Sequence, residues 1–472
     1  MGRISAEENK QTEKPEKKLK KKYYFTSTRV IAAGFFLVML LGALLLMIPA
    51  ATVEGETTTF LTAMFTSATS ICVTGLVVVD TFSHWTLFGK IVILCMIQIG
   101  GFGVITVYAM LLITLKKRIS LYDRALIQDY YNMNSIRGMI RFLLGVVKGT
   151  VIVELSGAVL YMFVFVPEMG FIRGAWVSLF TSVSGFCNAG IDIIGPSSLT
   201  GYRTNVPVNL ITMMLIIMGG LGYVVWFDVA ANIKKTIRQK MPWRTFLRRL
   251  NEHSRLVLTL TAVLIASGTL LVYIFEKNNP ATLGGLSTGN KIMASMFQSV
   301  TFRTAGFATV PQDALTTNSC LVGLIYMFIG GSPVGTAGGV KTVTFFVLVL
   351  NTVSFIRNRD ETVVFNRRIT QKMINKATAV VTISLSVTLI CVVLLLQTND
   401  VTALSAAYEI FSATGTVGLS RSLTPSLNAA GQVIVIFAMY AGRIGPISMA
   451  IFFNTGRSKH HLKYLEGKFF VG

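Results

Sequence analysis

Eight apolar runs are set along the chain, at 31–49, 91–115, 146–166, 210–226, 256–275, 321–350, 377–396 and 432–453. Each is close to or above the roughly 20 residues that cross a hydrocarbon core of about 30 Å as a helix. None shows the ten-residue alternating pattern of a barrel strand. Only helices and closed barrels satisfy every backbone group in lipid, so the pattern predicts an all-α integral membrane protein. Between paired runs lie shorter, moderately apolar stretches rich in Ser and Thr, at 58–69, 176–184, 291–300 and 402–412. They are too short to span. They predict half-helices that enter and return through an extended strand, a course tolerated at membrane depth only inside protein or beside a watery cavity.

The short stretches lead into a recurring motif. Val73-Thr74-Gly75-Leu76 returns in altered form as Asn188-Ala189-Gly190-Ile191, Thr304-Ala305-Gly306-Phe307 and Thr416-Val417-Gly418-Leu419, with the glycines 115, 116 and 112 residues apart. A near-fixed period marks an internal repeat. The unit is helix, half-helix, strand, helix, over 29–139, 140–253, 254–373 and 374–455, between a basic tail at 1–28 and a second tail at 456–472. Copies in one orientation imply an axis along the membrane normal, with the four strands facing one another around a central pore. Such strands present carbonyls that cost several kcal/mol each if left unpaired. A dehydrated monovalent cation can replace the missing donors, as carbonyl rings do in potassium channels. Val73, Thr74 and Gly75, Cys187 to Gly190, Thr304 to Gly306, and Thr416 to Gly418 are therefore candidate ion ligands. Inward-pointing half-helix C-termini would add partial negative charge. Asp80, Asp192, Asp313 and Asp400 stand near the outer ends and can concentrate cations, although ordinary loop solvation explains each one alone equally well. Close helix packing is the simpler reading of Gly100, Gly101, Gly219 and Gly220.

Composition sharpens this picture at three points. Of 472 residues only 14% are charged, far fewer than in a soluble protein of this size. The net charge of +22 raises nucleic acid as a partner. However, 33 of the 43 Lys and Arg fall in 1–29, 116–141, 232–255, 356–376 and 455–472, the tails and alternate loops. That is the positive-inside pattern, which puts both termini in the cytoplasm and makes the lipid bilayer the partner, with no nucleic acid. The loops at 116–141 and 232–255 fit either surface helices that dock a partner or segments lying on headgroups. Finally, five cysteines without CxxC spacing and four scattered histidines predict no disulfide or metal framework, and no HExxH or GxSxG stands in an enzymatic context.

Two features disturb the apolar pattern. Gly330, Gly331, Ser332, Pro333, Val334, Gly335, Thr336, Ala337, Gly338 and Gly339 interrupt the longest run. Five glycines and a proline in ten residues break a helix. This predicts a loop beneath the third strand that blocks ions until it moves. Arg443 lies within the last run, where a charge is costly and usually functional. Its five donors suit the freed carbonyls of the broken helix, so a hydrogen bond to the 330–339 backbone is predicted. Lys341 either snorkels to the cytoplasmic face or takes part in the gate. Arg303 either bonds behind the third strand or repels surplus cations, and Lys148 is expected to pair with Glu154.

Taken together, CVTGLVVVDT (72–81), CNAGI (187–191), FRTAGF (302–307), GGSPVGTAGGVKT (330–342), GTVGL (415–419) and GRIGP (442–446) resemble the Trk/Ktr/HKT superfamily of potassium transporters, and within it the bacterial Ktr-type membrane subunit. The resemblance covers about residues 28–472. It implies four helix–pore-helix–strand–helix repeats and a homodimer with one pore per subunit in the bacterial plasma membrane. A cytosolic ring of RCK subunits that bind ATP/ADP or a dinucleotide would regulate it. It further implies potassium uptake, often sodium-dependent, with Gly75, Gly190, Gly306 and Gly418 as the filter glycines and the 330–339 loop, Lys341 and Arg443 as the gate. The chain itself then needs no cofactor; K⁺, with Na⁺ if transport is coupled, is the ion carried. A Ser at the first filter position weakens potassium preference in the plant branch, so Gly75 favours potassium. One glycine per strand, where potassium channels have two in TVGYG, implies fewer ordered carbonyl rings and weaker selectivity. The alternative function is a tightly coupled Na⁺/K⁺ symporter.

Overall fold

The computed structural model describes residues 27–116, 138–240 and 246–445, with Asp123, Ile127 and Pro242 besides. The expected tail up to residue 26, most of the 116–141 loop, the last apolar run beyond Gly445 and the C-terminal tail lie outside the described residues.

Fifteen helices of more than ten residues form the described fold. The first quarter holds α1 (Ser27–Leu46), α2 (Phe60–Ile71), α3 (Leu87–Phe102) and α4 (Val104–Thr114). The second holds α5 (Met139–Met169), α6 (Phe171–Cys187), α7 (Val206–Leu221) and α8 (Tyr223–Arg238). The third holds α9 (Glu252–Glu276), α10 (Thr288–Thr301), α11 (Thr317–Phe328) and α12 (Thr342–Ile356). The fourth holds α13 (Gln371–Thr398), α14 (Ala403–Gly415) and α15 (Ala429–Ile444). A two-stranded antiparallel hairpin, Val363–Val364 with Arg367–Arg368, links the last two quarters.

Burial sorts these helices. In α2, α6 and α14, most residues are buried, including Phe65, Phe180 and Tyr408. In α13 only Ile374, Ala377, Thr388, Cys391 and Leu395 are buried, while Leu389, Ile390 and Val393 are exposed. The short helices thus occupy the centre and the long ones surround them with an aliphatic outer surface. Threonine side chains start two of the short helices: Thr59 accepts from Thr62 N and Thr402 from Ser405 N, satisfying amides that the first turn leaves without intrahelical partners.

The eight continuous spans expected from hydropathy are not all present. Among the described residues four helices, in α1, α5, α9 and α13, are long and apolar enough to cross a membrane. The runs at 91–115 and 210–226 are each bent, by 97° at Gly103 and 102° at Gly222. Both glycines have positive φ, 82° and 88°, which turns the chain where a residue with a Cβ would be strained. Gly445 ends α15 with φ 93° in the same way. The third quarter breaks instead over 329–341, as its glycine-rich sequence predicts. Gly100 and Gly219 do serve close approach: a Cβ on them would lie 2.2 Å from Ile71 O and 2.0 Å from Phe186 O. In the first two quarters the helix that follows the short helix therefore rests against that short helix's C-terminal carbonyls.

Lys148 does not pair with Glu154. Six helical positions put them on different faces, leaving Lys148 exposed and Glu154 buried. Glu154 instead accepts from Gln98 Nε2 at 3.2 Å and from Cys187 Sγ at 3.6 Å.

Candidate functional site

The four recurring segments meet. A Cβ built on Gly75 would lie 2.5 Å from Ala189 O, one on Gly190 2.6 Å from Ala305 O, one on Gly306 2.6 Å from Val417 O, and one on Gly418 2.1 Å from Thr74 O. Each glycine touches the carbonyl before the next glycine, and the fourth returns to the first. The ring is closed and tight enough that no side chain fits at any of its four corners.

Backbone handedness aims the carbonyls. Val73, Asn188, Thr304 and Thr416 have φ of 55°, 60°, 68° and 50°; Gly75, Gly190, Gly306 and Gly418 have 104°, 63°, 84° and 95°. The residue between each pair is not left-handed. An ordinary strand alternates its carbonyls, whereas alternating φ sign turns successive carbonyls toward one side. Left-handed backbone is unusual for β-branched Val73, Thr304 and Thr416. Such strain, of order 1–3 kcal/mol per residue, persists where the surroundings over-determine it.

Those surroundings are the C-terminal turns of the short helices. Thr69 Oγ1 accepts from Gly75 N at 2.9 Å and Ser412 Oγ from Gly418 N at 3.0 Å. Ser184 Oγ donates to Ile191 O at 2.5 Å and Thr301 Oγ1 to Phe307 O at 2.7 Å. These four hydroxyls, one per quarter, hold the segments from behind. The sequence signals them only as the Ser/Thr content of each short stretch. The hydroxyls of Thr74, Thr304 and Thr416, in the segments themselves, are buried without a partner among the described residues. Unpaired buried oxygens beside convergent carbonyls and helix C-termini suit a desolvated cation.

On one side of the ring opens a cavity of about 400 Å³, whose wall includes Asp80, Asp192 and Asp313. Asp400 does not line it. Asp80 also caps a helical turn, accepting from Phe82 N and Ser83 N. Burial pushes the Asp192 carboxyl up to about 6, against hydrogen bonds from Ser198 and from the Ile194 and Gly195 amides that lower it. On the other side a smaller cavity, about 220 Å³, is bounded by Val334, the Ala337–Gly339 backbone, Lys341 and Arg443. Carboxylates thus stand at one mouth and cations at the other.

The glycine-rich break lines that second side. Ser332 N and Thr336 N donate to Gly220 O at 2.9 Å and Gly219 O at 3.1 Å, and Tyr223 N donates to Val334 O at 2.9 Å. Thr336 Oγ1 donates to Phe186 O at 3.1 Å. The break is therefore held by the C-terminal end of α6 and by the bend at Gly222. Gly338 lies directly against Thr416 of the fourth segment, where a Cβ would come within 1.9 Å of its hydroxyl. Lys341 Nζ donates to Ala337 O at 2.6 Å. Arg443 donates through Nη1 to Thr336 O at 2.5 Å and through Nη2 to Gly100 O. Its guanidinium thus joins the loop to the end of α3.

Residues 4–461 match the TrkH family of cation transport proteins. The chain belongs to the TrkH family. Ktr system potassium uptake protein B of Bacillus subtilis is 38% identical to it over 413 residues, which are 88% of this chain and 90% of the relative. Potassium/sodium uptake protein NtpJ of Enterococcus hirae is 32% identical over 431 residues, 90% of this chain and 92% of the relative. Among solved structures, the potassium transporter TrkH from Vibrio parahaemolyticus superposes with a TM-score of 0.72 at 16% identity, covering 92% of this chain and 86% of that one. The family agrees with the one its motifs resemble, and its members are transport proteins, not enzymes. The TrkH fold is shared even where little sequence is.

Proposed function

We propose that this TrkH-family protein takes up potassium across the bacterial plasma membrane through the closed glycine ring. Carbonyls of Thr74, Ala189, Ala305 and Val417 replace the ion's hydration shell, those of Val73, Asn188, Thr304 and Thr416 extend the site, and the 330–339 loop with Lys341 and Arg443 gates it. The observation that carries this reading is the cyclic contact of the four glycines. The carboxylates of the larger cavity mark the side from which cations enter. Relatives named as parts of a Ktr system support a separate partner subunit; in this proposal that partner is an RCK-type subunit that binds nucleotide and governs a homodimer. The name of the Enterococcus relative keeps sodium coupling as the second reading. Turnover far above roughly a thousand ions per second through one pore, in the range of channels and not of tightly coupled carriers, would exclude it.

Purified protein in liposomes, with K⁺, Rb⁺ and Na⁺ fluxes compared, tests the proposal. Gly75→Ser should lower the K⁺/Na⁺ preference by about tenfold, since the new Cβ collides with Ala189 O at a left-handed backbone position. Unchanged preference in a folded variant would remove Gly75 from the site.

External pH supplies a second test. Asp192 is charged above its raised value of about 6 and neutral below it. Uptake at subsaturating K⁺ should fall about two- to fivefold as external pH drops through 6, because the mouth loses one attracting charge. Asp192→Asn should show the lower flux at every pH and lack this step. A step of the same size in the variant would assign it to another group.

A further inference from the structure

The third segment differs from the other three at one place. Three residues before each ring glycine stand Cys72, Cys187, Arg303 and Gly415. Arg303 is thus a cation in the chain that forms the ring, and it is only 7% exposed. No carboxylate among the described residues forms an ion pair with it, and its Nε has no hydrogen-bond acceptor. The side chain borders a small, partly open space walled by Ile216, Val300, Gly220 and Gly331. Thr261 also borders it, and the Thr261 hydroxyl is likewise buried without a partner among the described residues. An uncompensated guanidinium inside protein is far costlier than an unpaired dipole, and next to a ring that must attract cations it opposes the ring's purpose.

We propose that this space binds one small monovalent anion, chloride in the cell, held by the Arg303 guanidinium and the Thr261 hydroxyl. The size of the space selects the ligand: it has room for about one water-sized guest, which excludes phosphate, sulfate and lipid headgroups. A lone water would fill the volume and accept from Arg303 but would leave the charge in place. Gly220 and Gly331 also belong to the backbone on which the break is hung, since Gly220 O accepts from Ser332 N and Gly331 O from Thr342 N. The anion therefore sits between the third segment and the loop and neutralises the fixed charge of Arg303 behind the ring.

The full-length protein crystallised in potassium bromide decides the matter through anomalous diffraction at the bromine edge. A bromide peak in contact with the Arg303 guanidinium is expected, and its absence overturns the proposal. Thermal unfolding in potassium chloride, bromide and gluconate at equal concentration gives an independent reading. Chloride and bromide should stabilise the native protein over gluconate. Thr261→Val keeps the arginine and should weaken the apparent halide affinity about fivefold, the loss of one ordinary hydrogen bond. Arg303→Gln, if it folds, should abolish the halide effect. A halide effect of native size in both variants would place the anion elsewhere and overturn the assignment.

Discussion

Replacing Arg443 by glutamine is expected to raise basal potassium flux by about 10- to 150-fold, the population shift that follows from losing one charged hydrogen bond of roughly 1.5–3 kcal/mol. The guanidinium bonds Thr336 O in the loop and Gly100 O at the end of α3. Glutamine is shorter, uncharged and cannot span both acceptors. Thr336 would keep its amide bond to Gly219 O and its hydroxyl bond to Phe186 O. The loop should loosen, not unfold. Fluorescence flux assays on liposomes, with gel filtration to exclude misfolded material, measure the effect. Flux equal to or below wild type in protein of native size would free Arg443 from the gate.

Deleting residues 332–338 should have a larger effect, a rise of at least about 300-fold, which corresponds to removing a barrier of about 3.4 kcal/mol. The cut ends already lie side by side: Gly330 N donates to Val340 O at 2.9 Å and Val340 N to Phe328 O at 3.2 Å. Gly331 can therefore be joined to Gly339 with little movement of α11 or α12. Adding Arg443→Gln to the deletion should then change nothing, because two alterations of one device do not add. If flux in the deletion stays at the wild-type level, the obstruction lies elsewhere. If Arg443→Gln still multiplies flux in the deleted protein, the arginine acts through Gly100 alone.

Much of this arrangement was legible because each quarter repeats in sequence what it repeats in space. The period of Gly75, Gly190, Gly306 and Gly418 gave the ring, and the shortness of the apolar stretches before them gave the short helices. The first was placed two residues early, and the bounds of the other three came out too narrow, most of all at α6, which runs Phe171–Cys187. The bends at Gly103 and Gly222 were missed. Hydropathy does not register backbone handedness, and Val, Ile and Leu continue on both sides of each bend. The signal was nevertheless present as Gly-Gly-x-Gly at 100–103 and again at 219–222. The left-handed conformations of Val73, Thr304 and Thr416 had no signal, since those residues disfavour them. The hydroxyls of Thr69, Thr301 and Ser412 and the packing around them impose that course.

The closed ring also has a genetic consequence. In an assembly of four identical chains, one altered codon changes all four corners together. Here the corners are encoded separately and already differ, with Thr74, Ala189, Ala305 and Val417 beside the four glycines. A mutation touches one corner and leaves three, so if the ring carries the ion as proposed, ion preference drifts in quarter steps, each tested by selection before the next.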